Sequence, residues 1–152
     1  MILSDRDIKK AVEERKLKVD PTPNWGDALG SCTLDLTLGE VEENKYTLNP
    51  GDFALATTTE YIEIPDDLCG ILHGRSSLGR QGLTIHSTAP MFDAGFRGKV
   101  VLELFNSGKE PITLQKGQRV CAMSFEQLSS PALRPYHKKD SAKYLNQQHP
   151  NI

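Results

Sequence analysis

The sequence has only three cysteines, too few and too widely spaced for a disulfide framework or a cysteine-built metal site. They are Cys32, Cys69 and Cys121, so the number is odd and no C-x-x-C pair occurs. No apolar run approaches the roughly 20 residues that a transmembrane helix needs. The first residues also lack a basic region followed by an apolar stretch, so we expect no secretion signal. These absences predict a protein of a reducing cytoplasm, without a membrane anchor.

An excess of charge of either sign is also missing. Lysine and arginine number 18 and aspartate and glutamate 20, which leaves a net charge of −2. This balance gives no support for a nucleic acid polymer or an anionic membrane as partner, so any phosphate group would have to be bound by a local basic cluster. With 152 residues, 38% of them hydrophobic, the chain is long enough for one domain with a single core.

Alternating polar and apolar residues are the clearest structural signal in the chain. In Thr33–Leu38, leucines at every second position indicate a half-buried strand. Further strand-like segments, separated by turn signals such as Asn49-Pro50-Gly51-Asp52, span residues 45–48, 53–57, 61–64, 68–72, 112–114 and 120–125. Short strands with turns every ~8–12 residues predict an all-β sandwich or barrel rather than βαβ units.

One helix is expected, near the N-terminus. Ser4 can cap it, and apolar residues follow at helical spacing, among them Ile8 and Ala11. The pattern predicts an amphipathic helix over residues 5–14. The proline-rich residues 21–27 are typical of a loop.

The stretch Gly74–Asn106 contains the residues with the most distinct chemistry. Its segment Arg75-Ser76-Ser77-Leu78-Gly79-Arg80 combines arginines, hydroxyls and a glycine, a composition that suits phosphate oxygens. The segment resembles a G-x-x-x-x-G-K-[ST] phosphate loop but has Arg80-Gln81 where a lysine and a hydroxyl are required. The all-β pattern also lacks the strand–loop–helix context, and a solvated basic turn is the plain alternative.

Two acidic residues of this stretch are candidates for catalysis. Glu103 is the only charge in the β-forming run Val100–Phe105, and carboxylates are rarely buried without a partner. It suggests acid/base chemistry, while exposure to solvent or pairing with an arginine such as Arg97 is the structural alternative. Asp93 lies in a glycine-containing turn, where its carboxylate could accept a turn hydrogen bond, and a turn of this kind can also position a catalytic acid.

The same residues carry a resemblance to a known family. RSSLGR, GLTIHSTA and DAGFRGKVVLELFN resemble, in this order, the signature of dCTP deaminases, within the dUTPase-like superfamily. The similarity extends from ILSDRDI through SCTLDLTLG to SAKYLNQQ and covers nearly the whole chain. The resemblance implies a distorted jelly-roll β-barrel with a short N-terminal helix, one domain over residues 1–152, and a homotrimer.

The resemblance also implies roles for individual residues. Glu103 would be the general acid/base, Ser76 and Arg80 would complete the catalytic group, and Asp93 would orient the deoxyribose 3′-hydroxyl. The other substrate-binding residues that it implies are Arg75, Ser77, Val101, Leu102, Tyr136, Lys143 and Gln147. The ligand would be dCTP or dUTP, with Mg²⁺ bound through the phosphates. Residues 129–152 have few apolar anchors, so they would be mobile in isolation and act as a C-terminal lid.

A zinc site is not expected. The four histidines form no H-x-x-x-H or H-x-E pattern, whereas zinc-dependent base deaminases use H-x-E with P-C-x-x-C. The resemblance therefore implies zinc-independent hydrolytic deamination of dCTP to dUTP and ammonia, with no metal ligand in the protein. Three alternatives stay open: a bifunctional deaminase and diphosphatase that forms dUMP, a non-catalytic nucleotide-sensing protein, and a plain dUTPase, which usually has an apolar residue at the position of Glu103.

Overall fold

The alternating leucines of Leu34–Val41 form a strand at the centre of a curled antiparallel sheet in the computed structural model, which describes residues 1–152. Leu34, Leu36 and Leu38 are fully buried on one face, while Asp35 lies on the other face and is half-buried. Burial of apolar surface contributes roughly 25 cal/mol per Å², so the leucine face holds this strand to the core.

The chain forms ten strands and three short helices. The strands are β1 (Lys18–Asp20), β2 (Leu34–Val41), β3 (Thr47–Leu48), β4 (Phe53–Glu63), β5 (Leu68–Gly74), β6 (Leu83–Thr84), β7 (Met91–Phe92), β8 (Arg97–Asn106), β9 (Ile112–Thr113) and β10 (Arg119–Gln127). The helices are α1 (Asp5–Glu13), α2 (Trp25–Ala28) and α3 (Ser76–Gly79), with 3₁₀ turns at Glu42–Asn44 and Tyr136–Lys138.

Eight of the strands form one sheet in the order β6-β8-β4-β2-β10-β5-β7, with β1 also paired to β4. Strands β3 and β9 form a separate two-stranded sheet. Every strand pair is antiparallel, and a cluster of 28 buried hydrophobic residues packs inside the curled sheet. The prediction of an all-β protein with a short N-terminal helix is therefore confirmed.

Strand β8 buries every second residue although both of its faces carry apolar side chains. Val100, Leu102 and Leu104 are fully buried in the core. Val101 and Glu103 alternate with them and are half-buried on the outer face of the sheet. The strand geometry, in which successive side chains point to opposite faces, therefore separates Glu103 from the core.

The sequence predicts two separate strands over residues 53–57 and 61–64. This prediction is wrong, because the structure has one continuous strand, β4, in this region. Glu60 lies between the two predicted segments and is only 8% exposed. Its carboxylate accepts hydrogen bonds from the backbone N–H of Thr37 at 3.0 Å and from the Thr37 hydroxyl at 2.8 Å. Because these donors satisfy the buried charge, the chain stays in the sheet with an irregular register at this point.

Helix α1 begins as predicted at Ser4. The Ser4 hydroxyl accepts a hydrogen bond from the backbone N–H of Asp7 at 3.4 Å and donates one to its carboxylate at 2.9 Å. Ile8 and Ala11 are buried on one side of the helix, as its spacing predicts. No helix of the protein is both long enough and apolar enough to span a bilayer.

Two segments predicted as loop or turn contain single helical turns instead. In α2, Asn24 caps the N-terminus by accepting a hydrogen bond from the backbone N–H of Gly26 at 3.3 Å. In α3, Leu78 is buried and fixes the turn to the body of the protein. Both turns are too short for a hydrophobic period to reveal them in the sequence.

Candidate active site

A cavity of about 390 Å³ lies on the outer face of the sheet, between strands β4 and β8 and the C-terminal residues. Its lining is mostly apolar and aromatic with a few polar groups: Leu55, Ala89, Met91, Phe92, Asp93, Phe96, Val101, Glu103, Tyr136, Tyr144, Gln147, Asn151 and Ile152. This volume and this mixture of walls and polar groups are typical of small-molecule sites.

Glu103 lies on one wall of this cavity, next to Leu55, its cross-strand partner on β4. One carboxylate oxygen, Oε2, accepts a hydrogen bond from the backbone N–H of Ser87 at 2.6 Å. The other oxygen accepts none from the protein, so it is available to a ligand or a water molecule. Arg97, the alternative partner that the sequence suggests, lies 4.0 Å from Glu63 instead.

Asp93 lies in the turn between β7 and β8 and also lines the cavity. Its backbone carbonyl accepts a hydrogen bond from the N–H of Phe96 at 3.0 Å, which closes the turn. Its side chain is 51% exposed and accepts a hydrogen bond from Lys139 at 2.9 Å. The residue therefore combines a turn position with a carboxylate directed at the cavity.

Aromatic rings form one wall of the cavity, and of the neighbouring β8 residues Val101 and Leu102 only one adds its side chain to the lining. The rings of Phe92 and Phe96 meet edge to face with centroids 4.9 Å apart, and the Tyr136 ring lies 6.0 Å from that of Phe96. Val101 lines the cavity, whereas the side chain of Leu102 is fully buried in the core. Only the backbone of Leu102 remains available to a ligand, and truncating its side chain to alanine would cost about 2–5 kcal/mol of stability.

The C-terminal residues lie along the start of β8 in the same chain. The backbone N–H of Asn146 donates to the carbonyl of Arg97 at 2.7 Å, and that of Lys99 donates to the carbonyl of Gln147 at 2.9 Å. The Gln147 side-chain amide also donates to the carbonyl of Lys99 at 2.8 Å. These bonds place Gln147 on the cavity, while Lys143 lies outside it with its ammonium 5.1 Å from the centroid of the Tyr144 ring.

Two glycines make room for this segment. Gly95 has φ +83°, and a Cβ there would lie 2.7 Å from Pro135 and from His137. A Cβ on Gly98 would approach Gln147 to 3.1 Å. The absence of side chains at these two positions lets the C-terminal segment (residues 129–152) pack directly against the backbone beside Asp93.

The arginine segment (Arg75–Arg80) does not line the cavity. Arg75 precedes α3 and forms an ion pair with Asp35 of β2. Ser76, Ser77 and Arg80 are exposed and make no side-chain hydrogen bond within the chain. The structure thus brings together five of the predicted site residues, Asp93, Val101, Glu103, Tyr136 and Gln147, and leaves the arginine segment outside that group.

Asp35 connects the arginine segment to the sheet. Its carboxylate contacts Arg75 and lies 3.4 Å from a guanidinium nitrogen of Arg119. Behind it, burial raises the pKa of the Cys121 thiol, and the carboxylates of Glu60 and Asp35 raise it further. Cys121 therefore stays a protonated core side chain and not a thiolate nucleophile.

Several residues at the site were missed by the sequence predictions. Asp35 occupies the polar position of an alternating strand, and Lys139 belongs to an ordinary charge cluster, so neither differs locally from a solvated residue. Ser87 acts through its backbone N–H, which any residue other than proline supplies. For metal ions, no group of three or more His, Cys, Asp or Glu side chains has the geometry of a binding site.

Comparison with other proteins finds similarity over nearly the whole chain. A family model described as dCTP deaminase-like matches residues 40–128. A Thermomicrobium roseum protein named dCTP deaminase is 41% identical over 180 aligned positions, which cover 99% of this chain and 91% of that protein. A Dictyoglomus turgidum protein named dCTP deaminase, dUMP-forming, is 41% identical over 179 positions, covering 99% and 92% of the two chains.

Solved structures show the same fold. The crystal structure of 2′-deoxycytidine 5′-triphosphate deaminase from Agrobacterium tumefaciens matches 83% of this chain with a TM-score of 0.70 and 21% identity, and this chain spans 48% of that structure's length. A mutant dUTPase from phage phi11 of S. aureus, whose structure describes the coordination of a structural Mg(II) ion, matches with a TM-score of 0.59 and 17% identity, covering 82% of this chain and 99% of the dUTPase. The predicted dUTPase-like fold is therefore confirmed.

Proposed function

The chain belongs to the dCTP deaminase family, and from this membership we propose that it converts dCTP and water to dUTP and ammonia. The observation that carries the proposal is the position of Glu103. Its carboxylate has one oxygen held by the Ser87 backbone and the other free, on the wall of an aromatic-lined cavity that also contains Asp93. A carboxylate in such a position can transfer protons to and from a bound base.

The chemistry needs two proton transfers at neighbouring atoms. Water adds to C4 of cytosine while N3 gains a proton, which gives a tetrahedral intermediate; the C4–N4 bond then breaks and ammonia leaves. We assign both transfers to Glu103, which would take one proton from the attacking water and pass it to N3, and would then take the proton of the new C4 hydroxyl and pass it to the leaving amine. Ser76 and Arg80 would position the water and stabilise charge on the intermediate.

Ser76 and Arg80 do not line the cavity of their own chain, so we propose that a neighbouring copy supplies them. A closed homotrimer would place the arginine segment of one copy at the cavity of the next. Two exposed apolar side chains support this arrangement: Met91 lines the cavity and is 60% exposed, and Phe53, which is 51% exposed, lies two residues before Leu55 on the same face of β4. Exposed apolar residues of this kind mark surfaces that pack against a partner.

The triphosphate requires cationic partners outside the base pocket. We propose that Arg75 of the neighbouring copy and Lys143 contact the phosphate oxygens, since guanidinium and ammonium groups suit phosphate. Mg²⁺ would bind through the phosphates and water and would neutralise part of their charge. The phage phi11 dUTPase, which has the same fold, coordinates a structural Mg(II) ion. Residues 1–152 would then act as one domain, with residues 129–152 closing over the nucleotide.

A second candidate is the bifunctional reaction that converts dCTP to dUMP, diphosphate and ammonia. It is favoured by the 41% identity to the Dictyoglomus turgidum protein, which is named as dUMP-forming. The cavity suits either reaction, because both begin at C4 of the same base. A plain dUTPase is disfavoured by Glu103, and a nucleotide-sensing protein without turnover is disfavoured by the full set of Ser76, Arg80, Asp93 and Glu103.

Incubation with dCTP and Mg²⁺, followed by chromatographic separation of dCTP, dUTP and dUMP, tests the proposal. We expect dUTP and ammonia to accumulate in equal amounts. Formation of dUMP and diphosphate without free dUTP would establish the bifunctional reaction instead. Turnover of dUTP but not of dCTP would identify a dUTPase, and binding of dCTP without any product would identify a nucleotide-sensing protein.

A further inference from the structure

An ion pair connects the C-terminal segment to the carboxylate on the cavity wall. The ammonium of Lys139 lies 2.9 Å from Oδ2 of Asp93, 46 residues away in the sequence. It also lies 5.9 Å from the centroid of the Tyr136 ring, which faces the same cavity. Lys139 is thus in contact with two residues of the cavity without lining it.

The backbone on both sides of this ion pair is fixed. Tyr136 donates its backbone N–H to the carbonyl of Ala94, the residue after Asp93, at 2.7 Å. Lys139 in turn donates its N–H to the carbonyl of Tyr136 at 3.1 Å, at the end of a 3₁₀ turn. The position of the ammonium relative to Asp93 therefore does not depend on the flexibility of a long loop.

We propose that Lys139 is a positioning residue that holds the Asp93 carboxylate in the orientation needed to accept a hydrogen bond from the sugar 3′-hydroxyl of the substrate. The inference rests on the proposed function and extends it. Lys139 binds Oδ2, which leaves Oδ1 free for the sugar hydroxyl. Without Lys139 the carboxylate, half-exposed in its turn, has no other side-chain donor and can rotate into solvent.

The neighbouring lysine provides a matched control. Lys138 lies 3.9 Å from Asp66, and its side chain is 62% exposed outside the cavity. Lys138→Met removes the same charge one residue away but leaves the contact with Asp93 intact. Lys139→Met removes that contact, and Lys139→Arg keeps a cation at the position.

The test compares dCTP with 2′,3′-dideoxy-CTP, which lacks the 3′-hydroxyl. Dissociation constants are measured by calorimetry in Glu103→Gln, so that binding is separated from turnover, and kcat and KM for dCTP are measured with Glu103 intact. We expect Lys139→Met to weaken binding of dCTP about two- to fivefold, to raise KM by a similar factor with little change in kcat, and to change binding of the dideoxy nucleotide by less than about 1.5-fold. Lys138→Met should change the affinity for neither nucleotide. Lys139→Arg should keep most of the affinity of the native protein for dCTP.

Several other results would overturn the inference in distinguishable ways. An equal loss of affinity for both nucleotides in Lys139→Met, or no loss for either, would show that Lys139 does not act through the 3′-hydroxyl. If the protein with native Lys139 binds neither nucleotide, the proposed function fails together with the inference. If Lys138→Met loses as much affinity for dCTP as Lys139→Met does, the loss is a general charge effect and does not come from the positioning of Asp93.

Discussion

The cavity on the outer face of the sheet and the arginine segment hold their polar side chains by different means. In the cavity, Glu103 and Asp93 each accept one short hydrogen bond and stand between apolar walls that the C-terminal segment completes. In the arginine segment, only Arg75 is paired, and Arg80 is exposed. The first region is organised within one chain, whereas the cations of the second do not line the cavity of their own chain.

The predicted site residues therefore form two groups. The cavity can hold a base and a sugar, because it supplies aromatic walls, two carboxylates and two side-chain amides. The arginine segment offers cations and hydroxyls without a pocket. We propose that the two groups are halves of one site that meet between copies of the chain.

The largest effect is expected from the cavity. Glu103→Gln keeps the shape of the side chain and removes its proton transfer, so kcat for dCTP should fall about 10²–10⁴-fold with nucleotide binding retained. Steady-state kinetics and calorimetry would measure this, with Glu110→Gln as control because that exposed residue lies outside the cavity. Deamination by Glu103→Gln at a rate near that of the native protein would refute the assignment of Glu103.

Mixed assemblies test whether the halves come from different copies. Arg80→Ala and Glu103→Gln chains, each inactive alone, would be co-expressed with different tags and purified through both. Each mixed trimer should regain about a third of native activity, because one of its three boundaries joins two intact halves in a closed ring. The control replaces one partner by the Arg80→Ala, Glu103→Gln double variant. Mixed trimers that stay inactive would contradict a site shared between copies. So would a native protein that is fully active and whose mass by light scattering is that of a monomer.

The C-terminal segment should have a smaller effect than the catalytic carboxylate. Ending the chain after Asp140 removes Tyr144 and Gln147 from the cavity and the backbone bonds to β8. We expect a folded trimer whose kcat/KM for dCTP is lower by about 10–100-fold, the loss of a few hydrogen bonds at about 0.5–1.5 kcal/mol each. Gln148→Ala, an exposed neighbour, serves as control. Normal catalytic efficiency after truncation would show that the segment is not a lid.

The smallest effect concerns a single bond that attaches this segment. The Tyr61 hydroxyl donates to Oδ1 of Asn146 at 2.9 Å. Burial raises the pKa of Tyr61, as does the charge of Glu63, so the bond is fully present below the ordinary value near 10 and is lost as the pH rises through the raised pKa.

Tyr61→Phe should speed hydrogen exchange at residues 144–148 about twofold and lower kcat/KM less than twofold, since one exposed hydrogen bond contributes about 0.5 kcal/mol or less. Tyr46→Phe is the control, because its hydroxyl donates to Gly39 at 3.1 Å, elsewhere in the molecule. Unchanged exchange in Tyr61→Phe, or an equal change in both variants, would show that this bond does not hold the segment in place.

Much of the fold follows from local patterns. The alternation in Thr33–Leu38 and the cap at Ser4 predict β2 and α1 to within a few residues, because each depends on side chains close together in the sequence. The same reasoning fails at Glu60, where a polar run looks like a break between strands. There the ladder continues because Thr37, 23 residues away, supplies the donors that the carboxylate needs.

Sequence patterns alone predict the strand-rich architecture, the unusual charge of Glu103 in an apolar run, and the basic character of the arginine segment. Which face of β8 points outward is known only from the tertiary structure, because both faces carry apolar side chains. The tertiary structure also shows that Lys139 reaches Asp93 and that Arg75 is paired with Asp35, 40 residues away. Contacts across such separations leave no local period or spacing, since they form only when sheet pairing brings distant strands and the C-terminal segment together.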